Sequence, residues 1–198
     1  MSEEKLKKKF KDLLKMPKTK KPLTVLPTQQ LLQQIWDYII SRVNKKGEQK
    51  KSKNECLYLL CWKAGLRISE AISFDLFLEH QDPQYKNLYL LRGKRGKERW
   101  VYIDSNIVKE LKKRNWQVNL ANRFTFFKFL EKIKEELNIA DKVELAPHTL
   151  RRCFATANAL NGMPLPVLQK VLGHSKISTT ALYIKDSDLN NLVKFRPV

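Results

Sequence analysis

Histidine, cysteine, glycine and negative charge are all in short supply in this 198-residue chain. The three cysteines, Cys56, Cys61 and Cys153, are odd in number and form no Cys-x-x-Cys pair. That argues against a disulfide framework or a zinc site, and reduced, buried thiols are expected. No carboxylate-rich motif and no His-x-x-x-His spacing is present, so no metal and no cofactor is expected. No apolar run approaches the ~20 residues needed to span a bilayer. The opening MSEEKLKKKF lacks the apolar segment of a secretory signal. A soluble, intracellular protein without a membrane partner is expected. Acidic residues number 20 against 39 lysines and arginines, giving a net charge of +19. Such an excess opposes compaction by self-repulsion, so a polyanionic partner is the natural explanation, with nucleic acid first and an anionic membrane surface second. What the chain does have is apolar residues: 42% of the total, with nine phenylalanines and four tryptophans, enough for a real core.

Residues 1–24 are lysine-rich and read as a basic arm or linker, with a short helix over 3–15. From Thr28, a good N-cap, the spacing of Leu31, Leu32, Ile35, Trp36, Ile39 and Ile40 predicts one apolar helical face. NKKGEQKKSKN (44–54) reads as a basic loop. The helix after it, carrying Cys56, Leu57, Leu59, Leu60 and Trp62, is apolar all round and should be central. Gly65 fits its stop, and Ser69 with Glu70 can open the next helix. Between 87 and 104 the period changes to alternation: NLYLLR and ERWVYID flank GKRGK, a β-hairpin with a basic tip. Helices are then predicted over 105–115, 124–137 and 147–161, followed by two short ones around Gly173 and an amphipathic tail helix within 186–198. The tail's Leu189, Leu192 and Phe195 form a stripe that can dock on its own subunit or on a neighbour. The fold class expected is α+β, mostly helical with one small antiparallel sheet.

Four stretches carry residues able to do chemistry: GLRISEA (65–71), GKRGKER (93–99), HTLRR (148–152) and LGHSKISTTALYI (172–184). Each has an ordinary structural reading. Arg67 can be a surface residue past a helix end, Lys94 a solvated turn lysine, and His148 a helix-capping side chain. Arg151 can pair with an acid, His174 can be a turn residue and Tyr183 a core edge. Taken together they offer two arginines, a lysine, two histidines and a tyrosine, the inventory that phosphoryl transfer from a phosphodiester requires. Such catalysis rests on positioning and on preorganised donors that stabilise charge on the non-bridging oxygens. The planar fork of arginine suits two phosphate oxygens at once. His148 and Arg151, three apart, share a helix face, and a deprotonated tyrosine is a competent nucleophile.

In this order, and with Tyr183 nine positions after His174, the four stretches resemble the successive signatures of the tyrosine recombinases, the phage integrase family. The resemblance covers most of residues 25–185 and implies that family's catalytic domain there. It implies that Arg67 and Arg151 clamp the scissile phosphate, with His148 and His174 adding hydrogen bonds. Lys94, with Lys97 as the alternative, would protonate the departing 5′-oxygen. Glu70 would orient Arg67, and Tyr183 would attack, forming a 3′-phosphotyrosyl link. A turn at STTA would hold the tyrosine near the phosphate. The cations Arg95, Lys97, Arg99 and Arg152 are expected to contact DNA. The partners implied are double-stranded DNA and further copies of this chain or a related recombinase. The place implied is intracellular and DNA-associated, in the cytoplasm or nucleoid, or in an organelle stroma if the gene is organelle-encoded. Two departures stand out. Arg152 occupies a position where the family commonly has histidine. In addition, about 24 residues precede the catalytic domain where the family usually has a helical core-binding domain, either excised or naturally short. Two rivals remain open: strand religation of the type IB topoisomerase kind, and a catalytically idle DNA-binding accessory protein.

Overall fold

The computed structural model describes residues 26–42, 53–76, 85, 87–92, 96, 98–139 and 143–185, the side chains of Arg92 and of residues 183–185 excepted. The expected arm (1–24) and tail helix (186–198), and most of the 44–54 loop, lie outside them. Helix α1 spans Gln29–Ser41 and starts where the sequence predicts, the Thr28 hydroxyl accepting the Leu31 N–H at 3.1 Å. Its buried face is Leu32, Ile35, Trp36 and Ile39. Helix α2 (Lys53–Lys63) buries every residue from Glu55 to Trp62. A helix apolar all round needs cover on all sides. The cover comes from α3 (Ile68–Ile72), α4 (Ser105–Lys113), α5 (Arg123–Glu136) and α6 (Pro147–Leu160). Within the core, Tyr58 donates its hydroxyl to the Leu32 carbonyl at 2.9 Å and stacks on Trp36.

The hairpin forms as expected from strands β1 (Leu88–Arg92) and β2 (Glu98–Tyr102), antiparallel, with Leu90 opposite Trp100 and Leu91 opposite Arg99. Period-2 alternation sends Tyr89, Leu91 and Val101 into the core and leaves Trp100 and Tyr102 exposed. The chain then gives α4 to α6, followed by α7 (Leu165–Leu172) and α8 (Ile177–Lys185). Helix α8 packs on α6 and α7, and α7 packs on β2. The result is a mostly helical α+β fold with a two-stranded sheet among the described residues.

Two local expectations change. Helix α3 starts at Ile68 with Arg67 as N-cap, because the Glu70 carboxylate takes the Arg67 N–H at 2.7 Å. Ser69 therefore lies inside the helix. The STTA stretch is no turn: it lies within α8, and the bend falls earlier, at Ser175 and Lys176. The three cysteines are buried free thiols, each pushed up to about 12 by burial, which makes them poor nucleophiles. No helix among the described residues is long and apolar enough to cross a membrane.

Candidate functional site

Glu70 is the centre of the site. It sits in α3 with 4% of its side chain exposed. A buried carboxylate must be paired and hydrogen-bonded or lose its charge. Three guanidiniums meet this one. Arg67 Nη1 donates to Oε1 at 2.9 Å. Arg99, from β2, donates from Nη1 to Oε1 at 3.2 Å and from Nη2 to Oε2 at 2.9 Å. Arg151, from α6, brings Nη1 within 3.7 Å of Oε2.

The same three arginines cap the C-terminus of α7. A helix ends with carbonyls that have no intrahelical donor, and the partial negative charge there favours cations. Arg99 Nε donates to the Val171 carbonyl at 2.8 Å, Arg151 Nη2 to that of Leu172, and Arg67 Nη2 to that of Gly173 at 3.2 Å. Arg151 also donates to the Gly65 carbonyl, at the turn that ends α2. Two glycines permit this closeness. Gly65 has φ +64°, and a Cβ there would lie 2.4 Å from the Phe154 ring of α6. Gly173 has φ +61°, and a Cβ there would meet Arg99 Cδ at 2.8 Å.

The chain leaving Gly173 delivers His174 beside these cations. Its backbone N–H donates to the Gln169 carbonyl at 3.1 Å, and Nδ1 lies 3.0 Å from Thr180 Oγ1. Burial, and then Arg151, Arg67 and Arg99, hold the His174 pKa down to about 4, so the ring is neutral at pH 7. His148, in the first turn of α6, is also lowered, by burial and then by Arg152 and Arg151. Among the described residues three guanidiniums meet the one Glu70 carboxylate, so the cluster is rich in positive charge. It is open on one side, since 42% of the Arg67 side chain is exposed whereas Arg151 is buried. This arrangement can hold an oxyanion at Arg67 while the rest of the network fixes the donor.

The whole-chain comparison agrees with these motifs: the family model described as the phage integrase family matches residues 25–189. The chain belongs to the phage integrase family. Among curated relatives, it is 32% identical over 150 residues to the tyrosine recombinase XerD of Halalkalibacterium halodurans, covering 66% of this chain and 48% of that one. It is 28% identical over 166 residues to a tyrosine recombinase of Thermosipho africanus, covering 77% and 56%. The chain thus spans about half the length of the curated relatives it matches. The fold matches a solved XerA recombinase with a TM-score of 0.68 at 20% identity, covering 91% of this chain and 68% of that one. The catalytic domain of bacteriophage HP1 integrase matches with a TM-score of 0.60 at 23% identity, covering 88% and 96%. The fold is therefore that of a phage-integrase catalytic domain.

Of the site residues expected from sequence, Arg67, Glu70, Arg151 and His174 come together directly. His148 lies on the same α6 turn as Arg151, and Arg152 is partly exposed beside them. Tyr183 lies on α8, which packs against α6 and α7; its side chain is outside the described residues, as are Lys94, Arg95 and Lys97. Arg99, expected from the sequence to contact DNA with the other hairpin cations, instead turns inward onto Glu70. The signal was available: Arg99 is two residues from Val101 and four from Ile103, both buried, and so shares their face of the strand. Thr180 was not singled out, yet it is fully buried against His174. The threonine pair of STTA is its sequence trace.

Proposed function

We propose that this chain cuts and rejoins DNA strands as a site-specific recombinase, through a 3′-phosphotyrosyl intermediate. The observation that carries the reading is the open, cation-rich cluster around Glu70, in a family member that also has a tyrosine nine residues after His174. Arg67 and Arg151 bind the non-bridging oxygens of the scissile phosphate, whose charge grows in the transition state. His148 and His174, neutral at pH 7, add hydrogen bonds. For His174 to donate from Nε2, Nδ1 must be the acceptor. Thr180 then donates its hydroxyl to Nδ1 and selects that tautomer. The Tyr183 phenolate oxygen forms a bond to phosphorus as the bond from phosphorus to the 5′-oxygen breaks, and Lys94 gives that oxygen its proton. Attack by a 5′-hydroxyl of another strand reverses both steps, so the phosphodiester bond is conserved without a nucleotide cofactor. Arg152 and the hairpin cations Arg95 and Lys97 hold the flanking backbone. The working partners are duplex DNA and further copies of this chain or a related recombinase, in a DNA-associated compartment inside the cell.

Trapping the adduct tests this reading. Incubated with nicked duplex DNA from its own genomic neighbourhood, the parent should give a covalent species that survives denaturation. Tyr183→Phe should give none, while duplex affinity stays nearly intact, because affinity comes chiefly from many phosphate contacts. An adduct that persists in Tyr183→Phe would show that another residue is the nucleophile.

A further inference from the structure

We infer that Arg99 is a positioning residue for strand cleavage, registering the hairpin, Glu70 and the end of α7 so that Arg67 and His174 face one phosphate. The inference rests on the recombinase reading above. All three guanidinium nitrogens of Arg99 are committed inside the protein: Nε to the Val171 carbonyl, Nη1 and Nη2 to the two oxygens of Glu70. Only 10% of its side chain is exposed. Its donors are spent on the protein, so any effect on cleavage passes through the groups it holds. Each partner leads to a group in the proposed chemistry. Glu70 fixes Arg67 through both its backbone N–H and its Nη1. Val171 lies in the last turn of α7, three residues before His174. A Cβ at Gly173 would lie 2.8 Å from Arg99 Cδ, so the backbone that leads to His174 runs close to this side chain. The planar fork matters as well as the charge, since a lysine ammonium is a point charge and cannot present the same three directed donors.

The reading predicts a specific pattern. Arg99→Gln and Arg99→Lys should bind duplex DNA within about threefold of the parent, since the flanking phosphates supply the affinity. Single-turnover cleavage of the bound complex should fall on the order of 10–10²-fold, the scale of a slight misplacement of reacting groups. The fall should persist on a substrate with sulfur in place of the bridging 5′-oxygen, because the clamp acts on the non-bridging oxygens. Cleavage is measured below the melting transition of each variant. If Arg99→Gln has no cooperative transition, Arg99→Lys alone decides. Arg99→Lys at the parental rate would overturn the inference, since charge alone would then suffice. So would lost affinity with an unchanged cleavage rate, the mark of a DNA contact. A defect erased by the sulfur would also overturn it, by moving the role to proton delivery. The parental adduct and its loss in Tyr183→Phe are established first. A parent that forms no adduct removes the recombinase reading, and this inference with it, whereas an active parent with fast Arg99 variants removes only the inference.

Discussion

Two buried carboxylates in this molecule are built from the same parts and end differently. Glu55, in α2, is fully buried, with Arg114 Nε at 2.7 Å and Arg42 Nη2 at 3.8 Å. Arg114 is itself only 2% exposed, pairs also with Glu110, and lies over the Trp36 ring at 5.3 Å. Arg42 lies within 3.8 Å of Glu136 and over the Phe129 ring. In this cluster positive and negative charges alternate from Glu110 through Arg114, Glu55 and Arg42 to Glu136, joining α2 to α4 and α5. At Glu70, among the described residues, three arginines surround one carboxylate, and the surplus points to solvent through Arg67. A buried ion cluster in which each guanidinium lies between two carboxylates is a structural tie, costly to break from one side. One in which three guanidiniums crowd a single carboxylate and one of them is half-exposed has donors to offer an anion. The comparison teaches that burial alone does not mark a site; the sign left over does.

The comparison is tested most severely by separating the two kinds of charge that cleavage develops. The open cluster is assigned to the non-bridging oxygens and Lys94 to the leaving oxygen. Lys94→Ala should therefore slow cleavage of normal DNA by a factor on the order of 10²–10⁴, the usual scale for proton transfer by a positioned side chain. Sulfur at the bridging position leaves as a stable thiolate and needs no proton. On that substrate Lys94→Ala should match the parent, while Arg67→Ala and Arg151→Ala stay slow. If Lys97→Ala shows the rescue instead, the acid is Lys97. If neither does, the hairpin only binds DNA.

Next in size is the contrast between the clusters themselves. Arg114→Ala takes the hydrogen-bonded cation from buried Glu55 and leaves it only Arg42 at 3.8 Å among the described ion pairs, and should cost about 3–5 kcal/mol of stability. The fraction that folds should cleave at the parental rate. Arg67→Ala, by contrast, removes a half-exposed side chain and should shift stability by less than about 1 kcal/mol. Cleavage should fall on the order of 10²–10³, as for loss of one oxyanion donor. Urea titration and single-turnover cleavage on both variants give the four numbers. Matching losses of stability and rate in both variants would dissolve the distinction.

The sequence was legible where the rule is local. Thr28 and the spacing from Leu31 to Ile40 located α1, and the all-apolar run located the central α2. The change of period at residue 87 located the hairpin, and Gly65 and Gly173 located two helix ends through a positive φ. The members of the Glu70 cluster were found because their motifs are local too. What was hidden was pairing across long separations. Glu55 reads as one charged residue opening an apolar helix, and its partner Arg114 is 59 positions away. Nothing near either residue announces the other. Arg99 was misread for another reason: the basic tip drew it in by composition, while strand parity placed it with the core. Thr180 was overlooked because a threonine in a short helix has an ordinary explanation until the imidazole beside it is seen.

The smallest expected effect lies in pH, and it separates the clusters because only the open one contains histidine. The His174 pKa is held near 4 in the folded protein, against about 6.5 for an unperturbed histidine. Above pH 6.5 the ring is neutral in both states, and its ionisation does not affect stability. As pH falls from 6.5 to 4, the unfolded chain takes up a proton that the folded chain refuses, so stability is lost across that window. His174→Gln removes this titration, so its stability relative to the parent should improve over the same interval. Solvent access to the ring screens the effect, which should be on the order of 1 kcal/mol. Urea midpoints of the two proteins, compared from pH 7 to pH 4, isolate it, because the carboxylates common to both cancel in the difference. Arg114→Ala should show no such window of its own relative to the parent near pH 6. A difference between His174→Gln and the parent that stays constant across the range would mean that His174 titrates alike in both states. Its neutrality at pH 7 would then owe nothing to burial or to the arginines around Glu70.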